Sequence, residues 1–190
     1  MTAPQAKPDF PVGIYGITAE KFSNGRTNVE VVRQMLAGGI RIIQYREKRP
    51  YKSFAEMLAE CRAIRALTRA TGALFIVNDR LDIALLCGAH GVHLGQDDLP
   101  ADAARRLCPP EFIVGVSAQS EEQARLAKAH GADYLGIGAV YPTQTKDAAA
   151  LGLTGVRAVA QATDLPTVAI GGINLDNAAE VMGAGVDGLS

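Results

Sequence analysis

His130-Gly131-Ala132-Asp133-Tyr134-Leu135-Gly136-Ile137-Gly138 is the stretch whose reading decides the fold. A glycine stops a helix, a tight turn follows, and a short buried strand opens. The unit recurs upstream as Cys87-Gly88-Ala89-His90-Gly91-Val92-His93-Leu94-Gly95, and again as Met182-Gly183-Ala184-Gly185-Val186-Asp187-Gly188-Leu189-Ser190. Between the copies, short β-rich runs alternate with helical patterns. One repeating strand-and-helix unit favours a parallel (β/α)₈ barrel, the TIM-barrel architecture, over an open doubly wound sheet.

Working outward, strands are expected near Gly13 to Thr18, Ile40 to Tyr45, Ala73 to Asn78, Gly91 to Leu94, Phe112 to Val116, Tyr134 to Ala139, Thr167 to Ile170 and Asp187 to Ser190. Ser53 with Glu56 and Ser120 with Gln123 read as capping boxes, and Pro100 as a first helical residue. Gly38, Gly72, Gly88, Gly131 and Gly183 read as left-handed helix stops. From about Ser53 to Ala70, the residues Phe54, Met57, Leu58, Cys61, Ile64 and Leu67 recur at spacings of three and four, which predicts one buried helix face. The expected organisation is a leader over 1–10 and a single barrel domain over 11–190. The chain ends inside the expected eighth strand, so the sequence reads as truncated there, with the last helix absent.

The 190 residues suit one sizeable core, and 48% of them are hydrophobic. A net charge of -1 provides no basic field for nucleic acid. No apolar stretch is long enough to span a bilayer, and the first ten residues hold no signal-peptide h-region. Three cysteines without metal-ligand spacing read as free thiols in a reducing cytoplasm.

Polar clusters sit where the apolar runs end, and the active sites of parallel barrels are built at that end of the strands. Gln44, Arg46 and Lys48 alternate along one strand and share a face, with Tyr45 and Glu47 on the other. Two cations and an amide suit a polyanion, though the same residues could form a solvated strand end. Asp79 and Asp98 close the third and fourth strands and are expected to converge on one Mg²⁺, with phosphate oxygens and waters completing its shell. Asp98 has a second reading, as an N-cap ahead of Leu99-Pro100. Gly171-Gly172 ends the seventh strand ahead of a helix expected from about Asn174, which reads as a phosphate turn or as a plain tight turn. Thr143 to Leu153, with Lys146, reads as a lid or as an ordinary surface loop. There is no evident covalent nucleophile. The set therefore suits a reaction in which diphosphate leaves and its charge is taken up by cations and Mg²⁺.

In this order the motifs resemble those of the thiamine-phosphate synthase family. Gln44-Tyr45-Arg46-Glu47-Lys48 is similar to the family's Q-x-R-x-K segment, which holds a pyrimidine diphosphate. Tyr141-Pro142-Thr143-Gln144-Thr145-Lys146 is similar to its aromatic-P-T-x-T-K loop, and Gly171-Gly172-Ile173 to its G-G-I turn. The resemblance implies that Gln44, Tyr45, Arg46, Glu47, Lys48, Asn78, Ser117 and Lys146 bind the pyrimidine diphosphate. It implies that Thr143, Gln144, Thr145, Gly171 and Gly172 bind the thiazole phosphate. By the same resemblance Asp79 and Asp98 hold Mg²⁺, and Arg46, Lys48, Ser117 and Lys146 are catalytic. The implied enzyme is a cytoplasmic transferase of thiamine biosynthesis with small-molecule substrates and no nucleic-acid or membrane partner. It joins 4-amino-2-methyl-5-hydroxymethylpyrimidine diphosphate to 4-methyl-5-(2-phosphoethyl)thiazole, or its carboxylated tautomer, by dissociative loss of diphosphate. A thiazole tautomerase-like relative and a non-catalytic phosphate-binding barrel are the alternatives. Oligomeric state is left open.

Overall fold

The computed structural model describes residues 10–11, 13–48, 52–143 and 149–190. Among them, strands β1 (Gly13–Ile17), β2 (Ile42–Tyr45), β3 (Leu74–Asn78), β4 (Gly91–Leu94), β5 (Ile113–Ala118), β6 (Tyr134–Gly138), β7 (Thr167–Ile170) and β8 (Gly188–Leu189) follow one another as a closed parallel barrel. They alternate with helices α1 (Asn28–Ala37), α2 (Phe54–Thr71), α3 (Leu81–Cys87), α4 (Ala101–Leu107), α5 (Glu121–Ala129), α6 (Gly152–Gln161) and α7 (Ala178–Met182). This is the barrel expected from the repeats. The expected leader lies outside the described residues except for Phe10, whose ring stacks on Tyr134 with centroids 4.3 Å apart. The three cysteines are free thiols.

Two compact units make up the chain, residues 14–93 and residues 94–190 with the segment up to Gly13. In the first, Tyr15 pairs with Ile42, Gln44 with Ile76, and Asn78 with His93, so these residues lie on one face of the sheet. The opposite face meets the helices. A Cβ on Gly16 would strike the Met35 sulfur of α1 at 2.8 Å, and the Tyr45 hydroxyl reaches Glu60 of α2. Ile43, Phe75, Val77, Val32 and Ile64 form the dry layer of this unit, each fully buried. In the second unit, Gly115 lies opposite Tyr134, and a side chain at 115 would run into the tyrosine ring. Val114, Leu135, Ile137, Val140, Val156 and Val181 are fully buried there. The ladder between β7 and β8 continues to Ser190, whose N–H donates to the Ala169 carbonyl at 2.8 Å.

Several local expectations are corrected. Ser53 and Glu56 do form a capping box at α2, but Ser120 and Gln123 form half of one. The Gln123 side chain accepts from the Gln119 N–H at 2.7 Å instead of returning to Ser120. Pro100 is the residue before α4 and not its first. Gly38 and Gly183 are right-handed, and the positive φ falls on Gly39 and Gly185. The buried stripe of α2 is Met57, Cys61, Ile64 and Thr68. Phe54 lies outside it, exposed beneath the Arg80 guanidinium 3.6 Å away. The helix expected from Asn174 starts at Ala178, because Asn174 and Asn177 cap local N–H groups in turns that compete with helix.

Candidate active site

In the 14–93 unit, the ladder of β2 ends at Tyr45, and Gln44, Arg46 and Lys48 around that end are held in different ways. Gln44 is buried and donates to the Tyr15 hydroxyl at 2.9 Å. The Lys48 ammonium binds the Asp79 carboxylate, so a cation from the end of β2 already rests on a carboxylate from the end of β3. The Arg46 backbone N–H donates to Thr18 Oγ1 at 3.1 Å. Tyr45 and Glu47 turn to the helix side, as alternation predicts. There the Tyr45 hydroxyl donates to Glu60 at 2.6 Å, and Glu47 accepts from the Asn28 amide at 3.0 Å. Burial first, and then Glu60, push the Tyr45 hydroxyl pKa upward. These two side chains are therefore engaged away from the face that carries Gln44 and Asn78.

Asp79 adopts a left-handed conformation with φ +60°, which among non-glycine residues Asp and Asn tolerate best. Its N–H donates to the His93 carbonyl at 2.8 Å, and the N–H of Arg80 turns back to the Asn78 carbonyl at 2.7 Å. The sharp turn lifts the carboxylate off the strand end toward Lys48. His93 is buried in β4, as expected for a strand residue.

The 94–190 unit carries the other candidates. The Asp98 carboxylate accepts from the Gly95 N–H at 2.7 Å and closes the turn after β4, so its N-cap reading is set aside. Ser117 lies near the end of β5, opposite Gly136 of β6, and its carbonyl accepts from Gln96 at 2.6 Å. A Cβ on Gly171 would come within 2.7 Å of Ala139 Cβ, and one on Gly172 within 2.7 Å of Tyr141 Cβ. Both glycines have positive φ, so the close approach of this turn to the segment leaving β6 is reason enough for them. The five-residue α7 starts well beyond the pair, which removes the helix N-terminus from the argument for phosphate.

The connection out of β6 is tied at its base. Leu151 and Gly152 donate to the Ala139 and Val140 carbonyls at 2.8 and 3.0 Å, and α6 begins at Gly152. Thr143 is on the described part of this loop, whereas Gln144, Thr145 and Lys146 lie outside the described residues.

Among the described residues no group of three or more His, Cys, Asp and Glu side chains could hold a metal. Asp79 and Asp98 are hard oxygen donors of the kind Mg²⁺ takes in ones and twos beside water and phosphate. Asp79 also passes a direct test of fit, since a cation, the Lys48 ammonium, stands against it. Sequence reasoning missed Thr18, Asn28, Lys52 and Glu60, which are packed behind the end of β2. A capping box at Thr27–Glu30 marks the start of α1, but no local pattern announces that Asn28 is buried.

A parallel barrel with cations and carboxylates at its strand ends defines an enzyme of the (β/α)₈ class, suited to phosphorylated small molecules. The chain belongs to the thiamine monophosphate synthase family, whose model matches residues 14–190. It is 53% identical over 174 residues to the thiamine-phosphate synthase of Caldicellulosiruptor bescii, covering 90% of this chain and 78% of that protein. With the thiamine-phosphate synthase of Moorella thermoacetica it shares 52% identity over 180 residues, covering 93% and 84%. A solved thiamine phosphate pyrophosphorylase from Pyrococcus furiosus superposes with a TM-score of 0.85 at 43% identity, covering 94% of this chain and 84% of that one.

Proposed function

We propose that the chain joins 4-amino-2-methyl-5-hydroxymethylpyrimidine diphosphate to the thiazole ethyl phosphate, releasing thiamine phosphate and diphosphate. The observation that carries the reading is the Lys48–Asp79 pair, an ammonium and a carboxylate meeting just beyond two adjacent strands. A magnesium diphosphate would divide that pair between its own charges, the anion taking the lysine and the metal the aspartate. Arg46 offers a planar fork to phosphate oxygens and Lys48 a point charge. Asn78 donates beside them, and Ser117 contacts the pyrimidine. Thr143, Gly171 and Gly172 serve the thiazole phosphate, together with Gln144 and Thr145, and Lys146 reaches the diphosphate. Asp79 and Asp98 would hold Mg²⁺, which would supply positive charge to the departing oxygens. The chain's own cations stabilise the same charge as the pyrimidine C–O bond ionises, leaving a benzyl-like cation for the thiazole nitrogen to capture. Three free thiols agree with a cytoplasmic home, and no helix among the described residues is long and apolar enough to cross a membrane.

The test is product formation from the two purified substrates with Mg²⁺. Thiamine phosphate should form, and excess chelator should stop it. Asp79→Asn keeps a residue that tolerates φ +60° while removing the charge, so it should lower turnover by about 10²-fold or more with the fold intact. Product formed equally well in chelator would overturn the mechanism, and no product from the wild type would overturn the reading.

A further inference from the structure

Behind the end of β2, on the helix side of the 14–93 unit, lies a polar cluster with no part in the chemistry above. Asn28, in the first turn of α1, is fully buried. Its Nδ2 donates to Glu47 Oε2 at 3.0 Å and to Glu60 Oε2 at 3.2 Å. Glu60 also accepts from the Tyr45 hydroxyl at 2.6 Å, and the Lys52 ammonium binds both Glu20 and Glu60. Burial pulls the Lys52 pKa down, but the bonds to the two carboxylates outweigh it and the net shift is upward. Lys52 is thus held as a cation, and its ion pairs fix the two shared carboxylates in place.

The cluster carries an internal cost. Asn28 Oδ1 is buried with no hydrogen-bond partner among the described residues. An unpaired buried carbonyl is destabilising, and an apolar residue at 28 would avoid that cost. What Asn28 supplies in return is a donor, and one of its two acceptors is Glu47, which stands between Arg46 and Lys48.

Beyond Tyr45 the ladder no longer holds the chain, yet two tethers do. The first is Asn28 to Glu47. The second is Thr18, also fully buried, whose Oγ1 accepts from the Arg46 N–H at 3.1 Å while its own N–H donates to the Gln44 carbonyl at 2.9 Å. Side chains alternate along an extended segment, so holding Glu47 toward the helices turns its two cationic neighbours the other way.

We propose that Asn28 is a positioning residue for the diphosphate subsite: through Glu47, with Thr18 as the second tether, it aims Arg46 and Lys48. The inference rests on the reading of those two cations as diphosphate ligands. Displacements of about 1 Å in such groups can cost on the order of 10²-fold.

The experiment measures calorimetric affinity for inorganic diphosphate in Mg²⁺, the KM of each substrate, and the melting temperature. Asn28→Ala and Glu47→Ala should each weaken diphosphate binding and raise the KM for the pyrimidine diphosphate about tenfold or more, with the KM for the thiazole phosphate unmoved. The double variant should be no worse than the worse single one, because both sever one link. Glu47→Gln, which still offers Asn28 an acceptor, should restore most of what Glu47→Ala loses. Thr18→Val should reproduce the selective KM rise without disturbing the carboxylates. It carries the test with Glu47→Ala if Asn28→Ala unfolds. Parallel shifts in both KM values, multiplying effects in the double variant, or a Glu47→Gln as impaired as Glu47→Ala would each overturn the positioning role. A wild type that binds diphosphate beside unaffected variants refutes only this inference. A wild type that neither binds diphosphate nor forms product refutes the reading beneath it.

Discussion

Lys48 spends the unliganded state on Asp79, and the strength of that contact can be bounded. The lysine side chain is 51% exposed and the aspartate 19%, so solvent screens the pair and it is worth about 1 kcal/mol at most. Lys48→Met should therefore tighten Mn²⁺ binding in the absence of diphosphate, by no more than about fivefold, while weakening inorganic diphosphate. Titration followed by electron paramagnetic resonance reads the metal, and weaker Mn²⁺ binding in Lys48→Met would show that the lysine does not compete for the carboxylate. A second residue-scale effect concerns pH. His90 Nδ1 accepts the Phe75 N–H at 2.9 Å, and burial first, then Arg65, lower its pKa from 6.5 to about 4. The folded state holds this ring neutral where the unfolded chain already protonates it. The stabilisation is thus complete above pH 6.5 and is lost as pH falls toward about 4. Melting temperatures across that interval should fall less steeply for His90→Gln, which has no ionisable group. Parallel curves would refute the assignment.

The same position recurs at the scale of the element. The residue before β4 is His90, before β6 Asp133 and before β8 Asp187. Each donates its N–H to a carbonyl of the preceding strand or its approach, and its side chain accepts that residue's N–H in return. The partners are Phe75, Val114 and Thr167, with the return bonds at 2.9, 2.8 and 2.8 Å. The repeats visible in the sequence are therefore two-way clamps that set the register of a new strand on its neighbour. Asp133→Ala would leave the Val114 N–H buried without its side-chain acceptor and release Arg105 from its ion pair. That should cost about 1–3 kcal/mol, measured as a drop in the urea midpoint at constant m-value. No change in midpoint would mean that the clamp is ornamental. The repeats were legible because glycine stops and apolar runs are local signals. The clamp was not, since an acceptor in the turn and the N–H it serves lie 15 to 20 residues apart.

Across the whole molecule the barrel was readable because every level of the sequence agrees on it: caps at helix starts, glycines near helix stops and apolar runs of strand length. The candidate site was readable as residue types at strand ends, and less so as contacts. Gln44, Asn78, Asp79 and Lys48 sit at such ends, but the sequence does not disclose that Lys48 closes on Asp79, or that Asn28 reaches residues 19 and 32 positions away. The described residues bear on one further quantity, the coupling of ligand binding to the stability of the whole chain. A ligand that binds only the folded state stabilises it by about 2.7 kcal/mol at a hundredfold excess over its Kd. For a chain of 190 residues that corresponds to a rise in Tm of about 5–10 °C. Mg²⁺ alone should do little, because it draws most of its ligands from phosphate and water. Diphosphate alone would compete with the Asp79 carboxylate for Lys48 with no metal to offset the repulsion. Scanning calorimetry should accordingly find the full shift only when both are present, with small shifts for either alone. A full shift from diphosphate in excess chelator would mean that the cations bind the anion unaided, and that Asp79 belongs to some other task.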